Sequence, residues 1–492
     1  MDDLLLGLDI GTTHIKGVLS TPSGQIVSHA TVDYPTYYPK PGWAEQYPQD
    51  WWYGSVKVVR LLTSQVKGNV AGIGVSGQGC GVTLIDPGGQ VIRPAIIWLD
   101  TRSEPQCERL RQCCNAEILV RNGKMPAPYN ADPVLMWLIE NEPASIEAAE
   151  TSLTATAYIN YCLTGKKVAN LSDASILMAF DLAEQNWSIG LIESFGIPER
   201  FYPPLAACDQ VIGSLTPTAA AELGLQAGIP VVAGGEDTSS AGLAIGAVRT
   251  GQTYLSLGTA GTIYVPVDKR TVHPHLLTFL HVLTGQYLLG GSMVALGGSL
   301  AWCRKLLDPQ MTFENFIDIA AQSEPGSGRL VFLPYLSGEL QPINDGNARG
   351  MFFGLSLSTE KADLVRAVLE GTAFAIADNL SLIESLEVPI HEIRAIGRPT
   401  RSALWCQIIA NITNRPLNIL ADYGGAPLGN ALLAAKGAGF IQSPAETALT
   451  AARIERSYEP DPSLTRRYQD LFEVYRTLYT QVKEQYVQLS KI

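Results

Sequence analysis

Apolar positions along this chain gather into short β-prone runs broken by glycine-centred turns, and one such unit occurs twice. Near the start runs LLLGLDIGTTHIKGVL, with Asp9, Gly11, Thr12, Thr13 and Lys16 at its centre. Far downstream runs TYLSLGTAGTIYV, where Gly258, Thr259 and Ala260 fall where Gly11, Thr12 and Thr13 fell. Each predicts strand, tight turn, strand. Glycine lets backbone N–H groups approach an anion and threonine hydroxyls add donors, so each turn is a candidate phosphate cradle. A single such unit reads equally well as an ordinary hairpin; the recurrence favours two cradles holding one polyphosphate between two domains.

TPSGQIVSHA continues the first unit as a meander, and Asp50 is a candidate N-cap for a helix carrying Trp52, Val56, Val59, Leu62 and Val66 at helical spacing. AGIGV at 71–75 is a short buried strand, and residues 130–200 read as a mainly helical insertion. GIPVVAGGEDTSSAGLAIGAV then compresses strand, Gly-Gly turn and a helix of small side chains, with Glu236 and Asp237 at the turn. Ser239, Ser240, Ala241, Gly242 and Gly246 would let another element pack closely, as at a hinge or domain interface. In the second half a helix starts near Ser358 or Thr359 with Glu360, IRAIG is a strand entering a helix, GGAPLGNALLAAKGAG opens another helix, and a Tyr-rich helix ends the chain.

Asp237 has two readings. An Asp before a helix is the common N-cap, but a carboxylate at a strand-to-helix turn is also placed to take a proton from a substrate hydroxyl, worth ~10²–10⁴ in rate. Gln78, Cys80, Trp98, Asp100 and Arg102 cluster at strand ends, where they could hydrogen-bond a polyol and stack on its carbon face; the alternative is Asp100 and Arg102 as a local ion pair and Trp98 as core.

The 492-residue length calls for two or more domains. A net charge of −12 argues against nucleic acid or an anionic membrane as partner. MDDLLLGLD lacks the features of a signal peptide, no apolar stretch approaches membrane-spanning length, and the eight cysteines read as reduced thiols, so a cytoplasmic protein is expected. His273 and His275, a close pair with no third ligand, read as a surface turn.

Taken together LGLDIGTTHIKG, PGWAEQYPQDWW, SGQGCG with IIWLDTR, PVVAGGEDTSSAG, YLSLGTAGT, FLPYLSGE with NARGMFFGL, and APLGNALLAA resemble the FGGY family of carbohydrate kinases, and the likeness is greatest to its xylulose kinases. The resemblance implies an α/β fold of two duplicated ribonuclease-H-like domains, of the actin and hexokinase type, divided here as 1–246 and 247–492 with a cleft between. It implies a kinase using ATP and Mg²⁺ on a small sugar, with a homodimer left open. It assigns Asp237 as catalytic base and, with Asp9, metal ligand. Gly11, Thr12, Thr13 and Lys16 would form the first phosphate site and Gly258 and Thr259 the second. Gly297, Gly397, Arg398 and Ser402 would line the adenosine side, and Gln78, Cys80, Trp98, Asp100, Arg102 and Glu236 the sugar pocket.

Two departures from the family pattern stand out. Gln78-Gly79-Cys80-Gly81 replaces the Gln-Met-His-Gly usual in xylulose kinases, which makes a roomier, less basic pocket and admits L-xylulose, ribulose, erythritol or gluconate beside D-xylulose. Arg398 and Pro399 follow Gly397 where the family has a glycine-rich turn, which adds bulk and removes an N–H beside the nucleotide. A catalytically impaired sugar or nucleotide binder and an actin-type ATPase switch are the competing classes.

Overall fold

The computed structural model describes residues 3–421 and 424–491. Its frame is two seven-stranded sheets. The first contains β1 (Asp3–Ile10), β2 (His14–Ser20), β3 (Ile26–Asp33), β4 (Asn69–Gly77), β5 (Val211–Ser214), β6 (Pro230–Val232) and β7 (Gly235–Glu236). The second contains β8 (Gln252–Leu257), β9 (Gly261–Val267), β10 (Leu277–Leu280), β11 (Tyr287–Met293), β12 (Glu392–Ile396), β13 (Leu417–Ala421) and β14 (Arg453–Tyr458). The first sheet runs β5-β6-β4-β1-β2-β3, with β7 beside β4; the second runs β10-β11-β9-β8-β12-β13-β14.

The repeated hairpin seeds the same topology twice. β1 pairs antiparallel with β2 and parallel with β4, as β8 pairs antiparallel with β9 and parallel with β12. β1 is buried along nearly its whole length, as an apolar run in a covered sheet should be. The likeness extends to the outer strands, because β3 and β11 continue the antiparallel edges while β6 and β13 continue the parallel ones.

Seven helices matter to the site: α1 (Pro48–Gln65), α2 (Asp237–Ala244), α3 (Leu296–Leu307), α4 (Lys361–Ser385), α5 (Ala403–Thr413), α6 (Gly425–Gly437) and α7 (Pro462–Leu489). α1 begins one turn earlier than expected: Tyr47 precedes it, Pro48 fills its first position, and Asp50 lies inside the first turn rather than capping it. Its buried face is also shifted, to Trp51, Ser55, Val58, Val59 and Leu62, with Trp51 held by a 3.0 Å bond from its indole N–H to Gln46 Oε1. α4 is capped by Glu360 and Asp363 in a reciprocal box, rather than by Ser358 or Thr359.

The small residues after Asp237 do receive a close neighbour. It is α6, from the second half, which lies between α2 and the first sheet. A Cβ on Gly429 would stand 2.0 Å from Ser240 O, and one on Gly74 would stand 2.3 Å from Asn430 O. Backbone meets backbone there, and only glycine permits it. The halves are also fastened through β10: Lys124 Nζ donates to Thr278 O (3.1 Å), Leu280 N to Ser175 Oγ (2.9 Å) and Val282 N to Ser239 Oγ (2.8 Å).

Six cysteines are free thiols, but Cys113 and Cys114 are joined as a disulfide, against the expectation of eight reduced thiols. The two are immediate neighbours in the chain, outside any spaced Cys motif, with Cα atoms 3.8 Å apart at a helix junction. His273 and His275 do lie in an irregular surface turn. Among the described residues no helix is long and apolar enough to cross a membrane.

Candidate active site

Asp9, Ser76 and Gly235 are register partners across β1, β4 and β7, so the first-strand carboxylate and the Glu236-Asp237 turn leave the sheet side by side. Ser76 Oγ donates to Asp9 Oδ1 at 2.8 Å. Asp9 is 5% exposed, and burial together with the Asp237 carboxylate pushes its proton affinity up to about 6, against the pull of Lys16. Lys16 itself is exposed and is the register partner of Asp9 on β2.

The structure decides between the two readings of the turn in one respect. Glu236 is the N-cap of α2, its Oε2 accepting from Ser239 N at 2.8 Å. Asp237 is therefore the first helical residue, released from capping, half-buried, and hydrogen-bonded at the side chain by Thr238 Oγ1 (3.1 Å). Burial raises the proton affinity of Glu236 well above the carboxylate range, with Asp237 adding to it.

A fourth carboxylate, which sequence reasoning missed, faces the same turn. Asp173 Oδ2 accepts from Thr154 Oγ1 and Asn170 Nδ2 at 3.2 and 3.1 Å, while its buried Oδ1 has no partner. Burial pushes Asp173 up to about 7, and the Asp237 carboxylate contributes. Its signal in the sequence is the Asn-Leu-Ser-Asp cap of a short helix, which by itself carries no chemistry.

Gln78 and Cys80 line the floor beside this cluster. Gln78 Nε2 donates to Gln46 Oε1 at 2.6 Å, Gln46 Nε2 donates to Thr12 O at 2.7 Å, and Trp98 Nε1 donates to Thr12 Oγ1 at 2.9 Å. Tyr34 closes the loop from above by donating to Gly11 O. Gln78 Oε1 is left as a buried, unpartnered acceptor. Trp98 is 43% exposed and so is not core. Cys80 adopts a φ of 62°, receives Asn130 Nδ2 at 3.9 Å, and has its thiol pushed up to about 12 by burial. The thiol lies in a buried apolar cluster, with Lys124, Asp132, Asp173 and Glu236 as its charged neighbours.

Asp100 and Arg102 form the ion pair of the alternative reading, while Arg102 Nη1 has no hydrogen-bond partner among the described residues. Asp100 is fully buried, with Oδ1 accepting from Arg102 N and Oδ2 from Ala44 N, and the Arg102 guanidinium bridges Asp100 and Glu45 while lying 3.6 Å from the Trp43 ring centroid. This network anchors the PGWAEQ segment, and through it Gln46.

In the second half, Gly297 N donates to Gly258 O (3.0 Å) and Gly298 N to Thr259 O (2.9 Å), which seats α3 on the second loop. A Cβ on Gly297 would meet Gly258 O at 2.4 Å, and one on Gly397 would meet Leu257 O at 2.0 Å. Gly258, Gly297 and Gly397 are thus one backbone cluster. Arg398 is exposed and opens a single 3₁₀ turn, and Ser402 caps α5 by accepting from Trp405 N at 3.2 Å. Thr259 is exposed. Strands of this hairpin reach the first-half cluster: the Tyr254 phenol feels Asp237 and Glu236, and the Tyr264 phenol feels Glu236.

Two copies of one sheet topology, each with a glycine loop at its first turn and a carboxylate cluster between them, define a two-lobed phosphotransferase architecture. Comparison with known proteins makes this specific. Residues 4–244 match the N-terminal domain and 253–438 the C-terminal domain of the FGGY family of carbohydrate kinases, and the chain belongs to that family. It is 31% identical over 486 residues to the xylulose kinase of Escherichia coli (strain K12), covering 97% of this chain and 99% of that protein. The crystal structure of xylulose kinase from Rhodospirillum rubrum superposes with a TM-score of 0.93 at 31% identity, covering 98% of this chain and 99% of that one. The gluconokinase of Bacillus subtilis (strain 168) is 27% identical over 509 residues, covering all of this chain and 98% of that protein. The protein is a sugar kinase.

Proposed function

We propose that this kinase transfers the γ-phosphoryl group of ATP to a terminal hydroxyl of a ketopentose such as xylulose, with Asp237 as general base. The observation that carries the reading is the release of Asp237 from capping: Glu236 satisfies the helix N-terminus, so the neighbouring carboxylate is free at the strand end beside Asp9. A base placed there accepts the proton of the attacking hydroxyl as the oxygen approaches phosphorus. The Gly11–Thr13 and Gly258–Thr259 loops position the polyphosphate from either side, and positioning supplies most of what phosphoryl transfer needs.

Asp9 and Asp237 would hold Mg²⁺. They fit, because Mg²⁺ takes one or two protein carboxylates and completes its shell with water and phosphate oxygens, and the repulsion by which the Asp237 carboxylate raises the proton affinity of Asp9 is relieved by a cation. That ion would neutralise charge on the phosphate oxygens. Among the described residues no group of three or more His, Cys, Asp or Glu is placed to hold a metal ion.

For the acceptor, Gln78 Oε1 is a free hydrogen-bond acceptor, Trp98 offers a partly exposed ring, and Cys80 leaves room where a larger side chain would intrude. These features support a neutral polyol chain. A coupled ADP-release assay with Mg·ATP against D-xylulose, L-xylulose, D- and L-ribulose, gluconate, glycerol, erythritol and the pentitols tests the reading. Turnover is expected with a ketopentose. Preference for gluconate or erythritol would reassign the acceptor, and silence across the panel without ATP binding would favour an impaired binder, with the Arg398 turn as first suspect.

A further inference from the structure

A cavity of about 500 Å³ lies between the halves. Pro126, Ala127 and Tyr129 form its first-half wall, and Leu277, Val294 and Ile343 its second-half wall. Its walls neighbour the acceptor region through Tyr129 and Val294. The Tyr129 phenol feels Cys80, the neighbouring Asn130 donates to the Cys80 thiol, and Val294 directly follows Met293, the register partner of Gly261 at the end of the second glycine loop.

One charged group enters this largely apolar space in an unusual state. Glu339 is 4% exposed. Its backbone is fixed by reciprocal 2.9 Å hydrogen bonds with Asp345, and its Oε1 accepts from both Val294 N and Leu340 N at 2.8 Å. Its Oε2 accepts from nothing among the described residues. Burial pushes its proton affinity up to about 7, opposed only by those two backbone N–H groups. Arg111, also in the wall, has its guanidinium engaged by Glu104, Glu108 and Pro126 O. A buried carboxylate without a counter-charge is costly, and a ligand that brings a donor offsets that cost. Apolar walls around one fixed polar group are the usual make-up of a small-molecule subsite.

We propose that this cavity is the subsite for the end of the acceptor remote from the phosphorylated hydroxyl, and that Glu339 Oε2 receives a hydrogen-bond donor there, a hydroxyl or an ammonium. The inference rests on the assignment of the Asp237 pocket as the acceptor site. It makes acceptor length and terminal group, rather than stereochemistry alone, determinants of selection.

The test is calorimetric binding without nucleotide, using erythritol as short probe and sorbitol and 1-amino-1-deoxysorbitol as long ones. At least one long probe should bind the wild type about tenfold tighter than erythritol does. Glu339→Gln, which keeps an oxygen for the two N–H groups, should reduce that preference to about twofold and leave the erythritol Kd unchanged. Ala127→Phe, filling the cavity from the opposite wall, should do the same. Tighter binding of the amine assigns an ammonium, and of sorbitol a hydroxyl. Long probes that bind no better than erythritol, or a Glu339→Gln effect equal on all three, would overturn the subsite. Phosphorylation assays on the same proteins report separately on the kinase reading, which can fail while the length dependence stands.

Discussion

The two glycine loops share a strand topology and a Gly-Thr start and differ in what surrounds them. The first spans residues 11–14 and closes with Gly11 N on His14 O; the second spans 258–260 and closes with Gly258 N on Ala260 O. Two residues before each first glycine, the first copy has Asp9 and the second Ser256. Across the hairpin from these stand Lys16 and Thr262. The first loop is held by side chains, from Gln46, Trp98 and Tyr34, all arriving from the acceptor side. Among the described residues the second is held by backbone alone, through the first turn of α3. A side-chain-tied, charged loop can respond to what fills the acceptor pocket. A backbone-tied, neutral loop has one geometry, which suits a nucleotide that never varies.

The largest effect should come from the charged side. Asp237→Asn keeps the helix start, because Glu236 is the cap, and should lower kcat by ~10²–10⁴ while acceptor binding and unfolding stay near wild type. Steady-state ADP release beside a thermal melt checks this, and an unchanged kcat would remove Asp237 from the role of base. Next comes Gly297→Ala on the neutral side. The added Cβ would stand 2.4 Å from Gly258 O, so the loop must move, at a cost of about 1–3 kcal/mol. Because only backbone holds that loop, the expected result is a rise in the KM for ATP of about 5- to 100-fold with the acceptor KM little changed. An equal rise in both would mean that the second loop also senses the acceptor.

The halves are fastened to each other unevenly as well, and Lys124 gives that a pH signature. Its ammonium donates to Ser175 O, Thr278 O and Asn122 Oδ1, yet burial lowers its proton affinity from 10.5 to about 7. Between those values the unfolded chain binds a proton that the folded protein does not, so this residue's contribution to stability rises with pH, by up to about 1.4 kcal/mol per unit. Urea unfolding of wild type and Lys124→Met at pH 7 and pH 9 should show the difference moving in favour of the wild type. A flat difference would mean that Lys124 stays charged in the fold.

Sequence periodicity made the frame legible because the hairpin, the strand-to-helix turn at Asp237 and the small-residue face of α2 are local patterns. What it could not show were partners distant in the chain. Gln46 reads as one polar residue in a loop, and only folding places it between Trp51, Gln78 and Thr12. The element that packs on Ser240 comes from Gly429, almost two hundred residues later. Asp100 and Arg102 are ambiguous in the sequence for the same reason: Glu45, which joins their ion pair, lies far back in the chain. Glu236, which the resemblance places in the sugar pocket, also caps α2, a task its residue type does not announce because glutamate is an uncommon cap.

The smallest effect tests whether the side-chain ties of the first loop carry information. Trp98→Phe keeps the ring for stacking and removes the N–H that Thr12 Oγ1 accepts. One neutral hydrogen bond at a partly exposed site contributes about 0.5–1.5 kcal/mol, so the change should be about two- to tenfold. If the loop couples acceptor to phosphate, that change appears in the acceptor KM and also in the degree to which bound acceptor tightens ATP, since a coupling free energy is reciprocal between two sites. Measuring the ATP Kd with and without acceptor for wild type and variant isolates it. Loss of coupling with little change in either single affinity would give the first loop the task that the second, tied by backbone alone, lacks. A drop confined to acceptor affinity would make Trp98 a wall of the pocket and leave the two loops alike in function.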